Sequence, residues 1–406
     1  MNLDLFDSTQ INMISITVKI GLDGAHTNSE YNIFLNSIDS NNDKKFIFAN
    51  FIILKIDLNG TNLYNNDTPN SVKLTRPLAL LFEPENADLC RNLKEKIEND
   101  LLNDLEFLED FGTGYFFDFS VHTEAFFCGI DGKMLNAFIN NRATKRCNIC
   151  LLTYKDYTKY SSSNFNHESV EIRERCKLGI QNLHFQLNSF NFLLKIGHHA
   201  NFKNKEANLG RKLTKHERDL ETSRFREIYQ GKFIENLKVK VDFVDPGYGR
   251  TNTGPNVSRC MGNYFETCEI LGINVELGRN FNDIIKFLYS DKKYFELDLD
   301  NFEKILEKTI NILNVSYNEV SIPPSVHKIL IHGRFILEIM CKEKNLSPLS
   351  LAEENTEACV KLIRLCRNRF SRKDSRVNNL RDICNYLMIF SDPYINSFET
   401  QKMREN

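Results

Sequence analysis

Two short pairs of metal-binding side chains, far apart in the sequence, constrain this chain more than any other feature. Cys147 and Cys150 form a Cys-x-x-Cys pair, and four residues separate His327 from His332. Together they supply the two sulfurs and two nitrogens of a tetrahedral structural zinc site. A Cys-x-x-Cys pair alone also suits redox activity or two buried thiols, and a histidine pair alone is more often ordinary surface or core histidines. If one zinc ion binds all four side chains, two distant segments must meet in the fold.

The composition favours a folded protein in a reducing compartment. Of 406 residues, 41% are hydrophobic and 31 are phenylalanine, which argues for a core rather than disorder. Eleven cysteines are an odd number without framework spacing, so we expect free or metal-bound thiols. No stretch approaches about 20 uninterrupted apolar residues, so no membrane-spanning helix is expected. The net charge of -2 excludes uniform basicity as a basis for nucleic-acid binding, which would need local patches.

Hydrophobic periodicity predicts strands mainly before residue 140 and mostly helices after about residue 155. The strand segments are 14–20, 45–56, a third within 72–82, and 115–130. The helical segments are 85–110, 169–177, 183–196, 217–228, 302–312 and 350–367. Gly21–Gly24 is predicted to be a turn, and Ser350 is predicted to cap the last helix, with Glu353 at its third position.

The order of these elements predicts an α/β protein with a ribonuclease-H-like mixed sheet. Residues 1–140 would form the first part of the core, and residues 141–333 a large, mainly helical insertion stapled by zinc. Residues 334–406 would supply the C-terminal helices that complete the core. Acidic residues follow the first strand and a later strand, and others lie on the last helix. Because strand ends of one sheet converge and a helix packs across them, three carboxylates would meet at one point.

Three of these acids, Asp23, Asp131 and Glu354, suit two-metal phosphodiester chemistry by residue type and placement. Magnesium and manganese prefer oxygen ligands, and two ions about 3.5–4 Å apart stabilise both the attacking and the leaving oxygen. Each acid also has an ordinary explanation, since Asp-Gly is a common turn dipeptide and the helix dipole favours acids near a helix start. Glu353 and Glu357 are the alternatives for the third acid.

Six short segments, taken in order, resemble the catalytic core of the V(D)J recombination-activating recombinase and of the related Transib-type transposases. Each segment is weakly specific by itself, but the ordered set spans nearly the whole chain. The segments are GLDGA at 21–25, GIDGKML at 129–135, RCNIC at 146–150, HESVEIR at 167–173, SVHKILIHG at 325–333 and LAEENTEACVK at 351–361.

This resemblance implies a function and a role for the motif residues. Asp23, Asp131 and Glu354 would be catalytic acids that bind two Mg²⁺ or Mn²⁺ ions, and the cysteine and histidine pairs would be ligands of a structural zinc ion. Members of the family nick DNA by hydrolysis and then form a hairpin by transesterification. Double-stranded DNA would therefore be the partner, and the nucleus the location. Family members act as dimers, so a homodimer is a further expectation.

One departure from the family keeps other hypotheses open. In the family, a region that binds terminal repeats and dimerises precedes the first catalytic strand, whereas Asp23 lies almost at the start of this sequence. We therefore expect either a truncated gene model or a remnant or adopted core. The main alternative is a catalytically inactive, transposon-derived zinc protein that binds DNA or another partner. An unrelated zinc-stabilised helical scaffold is the third hypothesis.

Basic residues concentrate in segments 203–218 and 361–381. The second segment directly follows the proposed catalytic glutamate, and its first members would share roughly one helix face. Lysine and arginine neutralise DNA phosphates, so this segment is predicted to contact the DNA backbone. A solvated helix face is the ordinary explanation of such a run. The predicted DNA-binding residues are Lys361, Arg364, Arg367, Arg372 and Lys373.

Overall fold

The chain divides into two compact units. The structure is a computed structural model, and it describes residues 11–26, 45–83, 86–110, 116–130, 132–141, 146–157, 164–242 and 252–396. The first unit combines residues 1–144, 177–181 and 350–406, and the second combines residues 145–176 and 182–349. All the strands named below belong to the first unit, whereas the second unit is mainly helical.

The strands described in the first unit form one mixed sheet. In chain order they are β1 (Asn12–His26), β2 (Lys45–Leu58), β3 (Thr61–Asn65), β4 (Arg76–Leu81), β5 (Leu105–Asp110) and β6 (Phe116–Ile130). The order across the sheet is β3-β2-β1-β6-β5, and β4 also pairs with β2. β1 is parallel to β6, and the other pairings are antiparallel. The predicted α/β class with a mixed sheet is therefore confirmed.

The described helices belong to both units. In chain order they are α1 (Ala87–Leu101), α2 (Gly132–Phe138), α3 (Val170–Cys176), α4 (Asn182–Leu209), α5 (Lys215–Leu237), α6 (Gly254–Gly262), α7 (Tyr264–Leu271), α8 (Val275–Leu288), α9 (Glu296–Ser316), α10 (Pro324–Glu338), α11 (Glu354–Arg369) and α12 (Arg376–Phe390). The predicted helical segments at 169–177, 183–196, 217–228 and 302–312 correspond to α3, α4, α5 and α9. None of the helices that the structure describes is long and apolar enough to cross a membrane.

Helices cover both faces of the sheet in the first unit. Side chains alternate between the two faces along a strand. Ile47 and Ala49 of β2 accordingly belong to a core shared with α1 and α2. Phe46 and Phe48 belong to a second core shared with α11 and α12. The first unit is thus a three-layer α/β sandwich, and α11 lies on the face opposite α1.

Three local predictions were wrong, in the position or the type of the element. The predicted helix over 85–110 ends at Leu101, because residues 105–110 pair with β6 as strand β5. The predicted turn at Gly21–Gly24 lies inside β1, which continues to His26. The last helix begins at Glu354 with Glu353 as its N-cap, after a short 3₁₀ turn over Pro348–Leu351.

Candidate metal centre and acidic site

The Cys147–Cys150 segment forms a tight turn in the second unit. The backbone N–H of Leu151 donates to the carbonyl of Cys147, and the N–H of Cys147 donates to Leu152, both at 3.0 Å. Leu151 closes the turn with a left-handed φ of 60°. The N–H of Ile149 also points at Sγ of Cys147, 3.5 Å away, which favours a thiolate there.

His327 and His332 lie on α10, whose residues from Val326 to Gly333 are all buried. The two histidine residues are 2% and 0% exposed, respectively. Pro324 starts this helix, where its missing N–H costs no hydrogen bond. A helix that is apolar on most sides is packed inside a domain, so these imidazoles are held in fixed orientations.

The four predicted zinc ligands converge. One ligand atom from each of Cys147, Cys150, His327 and His332 lies within 4.8 Å of the others. Sγ of Cys150 is 3.3 Å from Nε2 of His327. Nε2 of His332 is buried and has no hydrogen-bond partner among the described residues. Since zinc binds sulfur at about 2.3 Å and nitrogen at about 2.0–2.1 Å, one ion fits among these atoms after small inward shifts. The cluster can therefore hold a metal ion such as zinc.

Protonation within the cluster suits a metal ion. Burial alone would raise the pKa of Cys147, but the neighbouring side chains of Cys150, His327 and His332 lower that pKa well below its usual value. The hydrogen bond with Cys147 and burial together raise the pKa of Cys150. Burial lowers the pKa of His327 and favours its neutral ring. A thiolate and neutral imidazoles are the forms that bind zinc, and a bound cation would displace the proton from Cys150.

A shell of aromatic rings and one further histidine surrounds the cluster. Tyr157 stacks on His327 with ring centroids 3.7 Å apart, and Phe165 lies edge-on to His332 at 5.1 Å. Nε2 of His167 is 2.9 Å from Nδ1 of His332. Burial, reinforced by His332, lowers the pKa of His167 to about 4, so its ring is neutral. Sequence reasoning missed this contact, although His167 opens one of the six segments that carry the family resemblance.

Two of the three predicted catalytic acids lie in elements that contact each other. Asp23 is a half-buried residue of β1, in register with Phe48 of β2. Glu354 is the first residue of α11, and its Oε2 is buried without a hydrogen-bond partner in the described part of the chain. Glu353, the N-cap of that helix, is 3% exposed. Asp131 lies outside the described residues.

A pair of glycines allows α11 to lie directly on the sheet. Gly21 of β1 is in register with Gly129 of β6. A Cβ atom at Gly21 would lie 2.0 Å from Oγ1 of Thr356, and one at Gly129 would lie 2.6 Å from the same oxygen. Gly21 is two residues before Asp23, and Thr356 is two residues after Glu354. Because these two glycines have no side chain, α11 can lie against β1 and β6, and the segments that contain Asp23 and Glu354 come together.

A buried lysine connects the same two elements. Lys19 of β1 is 1% exposed, and its Nζ donates to the carbonyl of Ala352 at 2.7 Å. The same ammonium donates to the carbonyl of Pro69 and to Oδ1 of Asn70, both at 2.8 Å. Burial lowers the pKa of Lys19 to about 8, opposed by Cys128 and by the carboxylates of Glu354 and Glu353. Sequence reasoning assigned no role to this residue.

The predicted DNA-binding residues differ in their accessibility. Lys361 and Arg364 are exposed on α11. Arg372 is exposed too, but its guanidinium donates twice to Asp382, at 3.0 and 2.8 Å. Lys373 is half-buried and donates to Ser371 at 3.1 Å.

Arg367 packs inside the first unit. It is 2% exposed, and its guanidinium carbon lies 4.3 Å from the ring centroid of Phe82. A phosphate contact would have to break this packing. The basic run at 203–218 is also largely compensated, because acids of the second unit pair with four of its members. These pairs are Lys203–Glu319, Lys205–Glu221, Arg211–Glu217 and Arg218–Glu206.

Comparisons with known proteins do not assign the chain to a family. No family model matches it, and no curated protein matches it. Among solved structures, the chain is similar to the Drosophila P element transposase strand transfer complex, with 12% sequence identity and a TM-score of 0.31. That match covers 97% of this chain and 80% of the other. The resemblance to the recombination-activating and Transib families stays a hypothesis.

Proposed function

We propose that the chain is a transposase-like recombinase core, of ribonuclease-H-like fold, that nicks DNA and transfers strands in the nucleus. The observation that carries this proposal is the parallel pairing of β1 with β6, whose last described pair is Leu22 with Ile130. In the sequence, the next residue in each strand segment is an aspartate, Asp23 or Asp131. Two-metal nucleases need carboxylates that converge from separate segments, and neighbouring parallel strand ends supply them.

Under this proposal, Glu354 completes the acidic set. Its helix packs on β1 and β6 at Gly21 and Gly129, and its buried Oε2 has no hydrogen-bond partner among the described residues. An unpartnered buried carboxylate oxygen is costly unless it meets a cation, which supports a ligand role. Oε2 of Glu353, the N-cap, is buried too, so exposure separates the two acids: Glu353 is 3% exposed, whereas Glu354 is half-buried and easier for an ion to reach. Bound Mg²⁺ or Mn²⁺ ions would act as Lewis acids on the scissile phosphate.

The second unit would be the zinc-containing insertion of this core. In the sequence it lies between the segments of β6 and α11, interrupted only by residues 177–181. Its Cys₂His₂ set supplies four protein ligands, which leaves no open position for water. The zinc ion would therefore stabilise the fold, and the acidic residues would carry the chemistry.

The exposed face of α11 is the proposed contact with the DNA backbone. Lys361 and Arg364 follow Glu354 by about two and three helical turns, on the helix that would present the metal-binding acid. Side chains that neutralise phosphates release counterions from the DNA, which makes binding depend on salt but not on base sequence. Replacing either residue by alanine should therefore weaken duplex binding at every sequence alike. The double-stranded DNA partner thus rests on these two side chains rather than on the whole basic run.

A nicking assay tests the proposed function. Purified protein with Mn²⁺ should nick duplex DNA, whereas Asp131→Ala and Glu354→Gln should reduce nicking to the background level. Glu357→Gln is the matched comparison, because Glu357 lies on the same helix and is half-buried as Glu354 is. It should nick as wild type does, whereas loss of nicking in Glu357→Gln but not in Glu354→Gln would make Glu357 the third acid. Equal nicking by wild type and Asp131→Ala would reject the assignment. Manganese binding without cleavage of nicked or hairpin substrates would favour the inactive DNA-binding alternative.

A further inference from the structure

His332 has two ring nitrogens with different surroundings. Its Nε2 is buried without a hydrogen-bond partner in the described residues, and His332 is one of the four candidate ligands. Its Nδ1 lies 2.9 Å from Nε2 of His167. A neutral histidine that binds a metal through one nitrogen carries its hydrogen on the other. His332 must then donate through Nδ1, and Nε2 of His167 must accept.

We propose that His167 is a positioning residue of the metal centre, which accepts a hydrogen bond from Nδ1 of His332 and thereby presents Nε2 of His332 to the metal ion. Ligand histidines usually donate their second N–H to a fixed acceptor, which selects the tautomer and fixes the ring. His167 supplies such an acceptor from a segment 165 residues away in the sequence. The contact gives a role to the HESVEIR segment, which neither the zinc ligands nor the acidic set explains.

The surroundings of His167 hold its ring in the accepting position. Its ring centroid lies 5.0 Å from that of Phe335, and Phe165 flanks the rings of both His167 and His332. The N–H of His167 donates to the carbonyl of Phe165 at 3.1 Å, in the turn that leads into α3. A ring fixed on two sides loses little conformational entropy when it accepts the hydrogen bond.

Zinc affinity tests this role, measured by competition with a chromophoric chelator. His167→Ala should bind zinc about 10–100-fold more weakly than wild type, as expected when an outer-shell partner is lost. His167→Gln should recover most of the affinity, since its amide oxygen can replace Nε2 as acceptor. The control is His216→Ala, an exposed histidine of the same unit that should leave the affinity unchanged.

Two outcomes would overturn the role of His167. One is a His167→Ala protein that binds zinc as tightly as wild type. The other needs no variant: ring ¹⁵N NMR of the zinc-bound wild type should find His332 protonated at Nδ1 and His167 unprotonated at Nε2, and the opposite tautomers would contradict the inference. A wild-type protein that binds no zinc would instead reject the metal centre itself.

A second, independent observation concerns Lys19, and what it implies rests on the proposed function. An ammonium group has three N–H donors, and those of Lys19 match three acceptors, on Ala352, Pro69 and Asn70. Ala352 is two residues before Glu354, and Lys19 is four residues before Asp23. Burying a charge is costly unless it is paired or fully hydrogen-bonded, so these acceptors hold Lys19 in place.

We infer that Lys19 is a positioning residue for the acidic site, because it ties the start of α11 to β1 and so fixes Glu354 relative to Asp23. Lys19 and Gly21 share one face of β1, and Gly21 lies against Thr356 in the first turn of α11. The carboxylates of Glu354 and Glu353 also raise the pKa of Lys19 against the effect of burial. The hydrogen bond from Lys19 to the carbonyl of Ala352 acts directly before Glu353 and Glu354, so its effect on their position goes beyond filling the core.

Manganese affinity separates positioning from stability. Lys19→Met should weaken Mn²⁺ binding at least about tenfold, the lower end for outer-shell partners. Asn70→Ala is the matched control, because it removes one acceptor of Lys19 but keeps the bond to Ala352. It should lose stability while it binds Mn²⁺ as wild type does. Both affinities are measured by titration on folded protein, below its unfolding transition.

The outcomes distinguish this inference from the proposed function. If wild type binds Mn²⁺ and Lys19→Met binds it equally well, the positioning role is wrong. If Lys19→Met does not fold, Lys19→Gln replaces it, because glutamine keeps a donor in the same place. Unchanged manganese affinity in Lys19→Gln would also show that the positioning role is wrong. If wild type itself binds no Mn²⁺, the proposed acidic site fails first.

Discussion

Cys147→Ser is expected to unfold the second unit, as is removal of the metal from wild type with a chelator. The binding free energy of a structural zinc ion is folding free energy, on the order of 10 kcal/mol. The net stability of a whole domain is about 5–15 kcal/mol, so little would remain. Helix content followed by circular dichroism during thermal unfolding, with and without chelator, measures the effect. Added zinc should restore the transition of chelated wild type but not that of Cys147→Ser.

The reason lies in how little regular secondary structure holds the cysteine turn. Among the described residues 146–157, strand-like pairing is limited to the single bridge between Arg146 and Thr153, so no helix or strand anchors this turn. The metal would tie it to α10. Without the ion, the buried Nε2 of His332 would stay without a partner among the described residues. An unsatisfied buried polar group costs about 1–3 kcal/mol by itself.

Cys260→Ser is the control for this prediction. Cys260 lies on α6 in the same unit, is fully buried and stands outside the four-residue cluster. Burial raises its pKa to about 12, so it is a thiol that packs like a small apolar side chain. Its replacement should cost about 1–3 kcal/mol and leave the zinc content unchanged. Equal destabilisation by the two serine variants, or a chelator without effect on wild type, would contradict a structural metal.

The sequence predicted the metal cluster well because ligand chemistry is strict. Two cysteines and two histidines at Cys-x-x-Cys and His-x4-His spacing match a structural zinc set by residue type, and the family resemblance assigned all four to one ion. The positions of His167 and Lys19 could not be predicted in this manner. Their partners, His332 and Ala352, lie 165 and 333 residues away in the sequence, and neither pairing leaves a local pattern.

Where prediction failed, tertiary contacts overrode local preference. The leucines of segment 85–110 continue a helical spacing, but pairing with β6 makes Leu105 part of a strand. Arg367 has the helical spacing of an exposed basic face, yet the ring of Phe82 covers its guanidinium. Gly21–Gly24 has turn composition, but it is a strand in which Gly21 leaves room for a helix. In the sequence, a glycine that allows a turn looks the same as a glycine whose missing side chain makes room for a neighbouring helix.

Gly21→Ala should therefore be strongly destabilising. The added Cβ would lie 2.0 Å from Oγ1 of Thr356 and 2.9 Å from Nδ2 of Asn50, well inside contact distance. Overpacking a dense core costs about 1–3 kcal/mol or more. Here the steric clash would be relieved by a shift of α11 away from β1. Because α11 carries Glu354, Mn²⁺ binding should weaken together with stability. Chemical denaturation and manganese titration of the same variant measure the two effects.

Variants of the neighbours test whether the contact with Thr356 is the cause. Adding Thr356→Ala to Gly21→Ala removes the closest atom and should recover part of the stability, although it also removes a 3.3 Å hydrogen bond from Asn50. Thr356→Ala should rescue Gly129→Ala less, since the Cβ at that position would also meet the Cα of Gly21 at 2.8 Å. Gly231→Ala on α5, with nothing within 4 Å, should instead stabilise by up to about 1 kcal/mol. If Gly21→Ala proved as stable as wild type, α11 could not lie against β1 as described, and Glu354 would lose its link to Asp23.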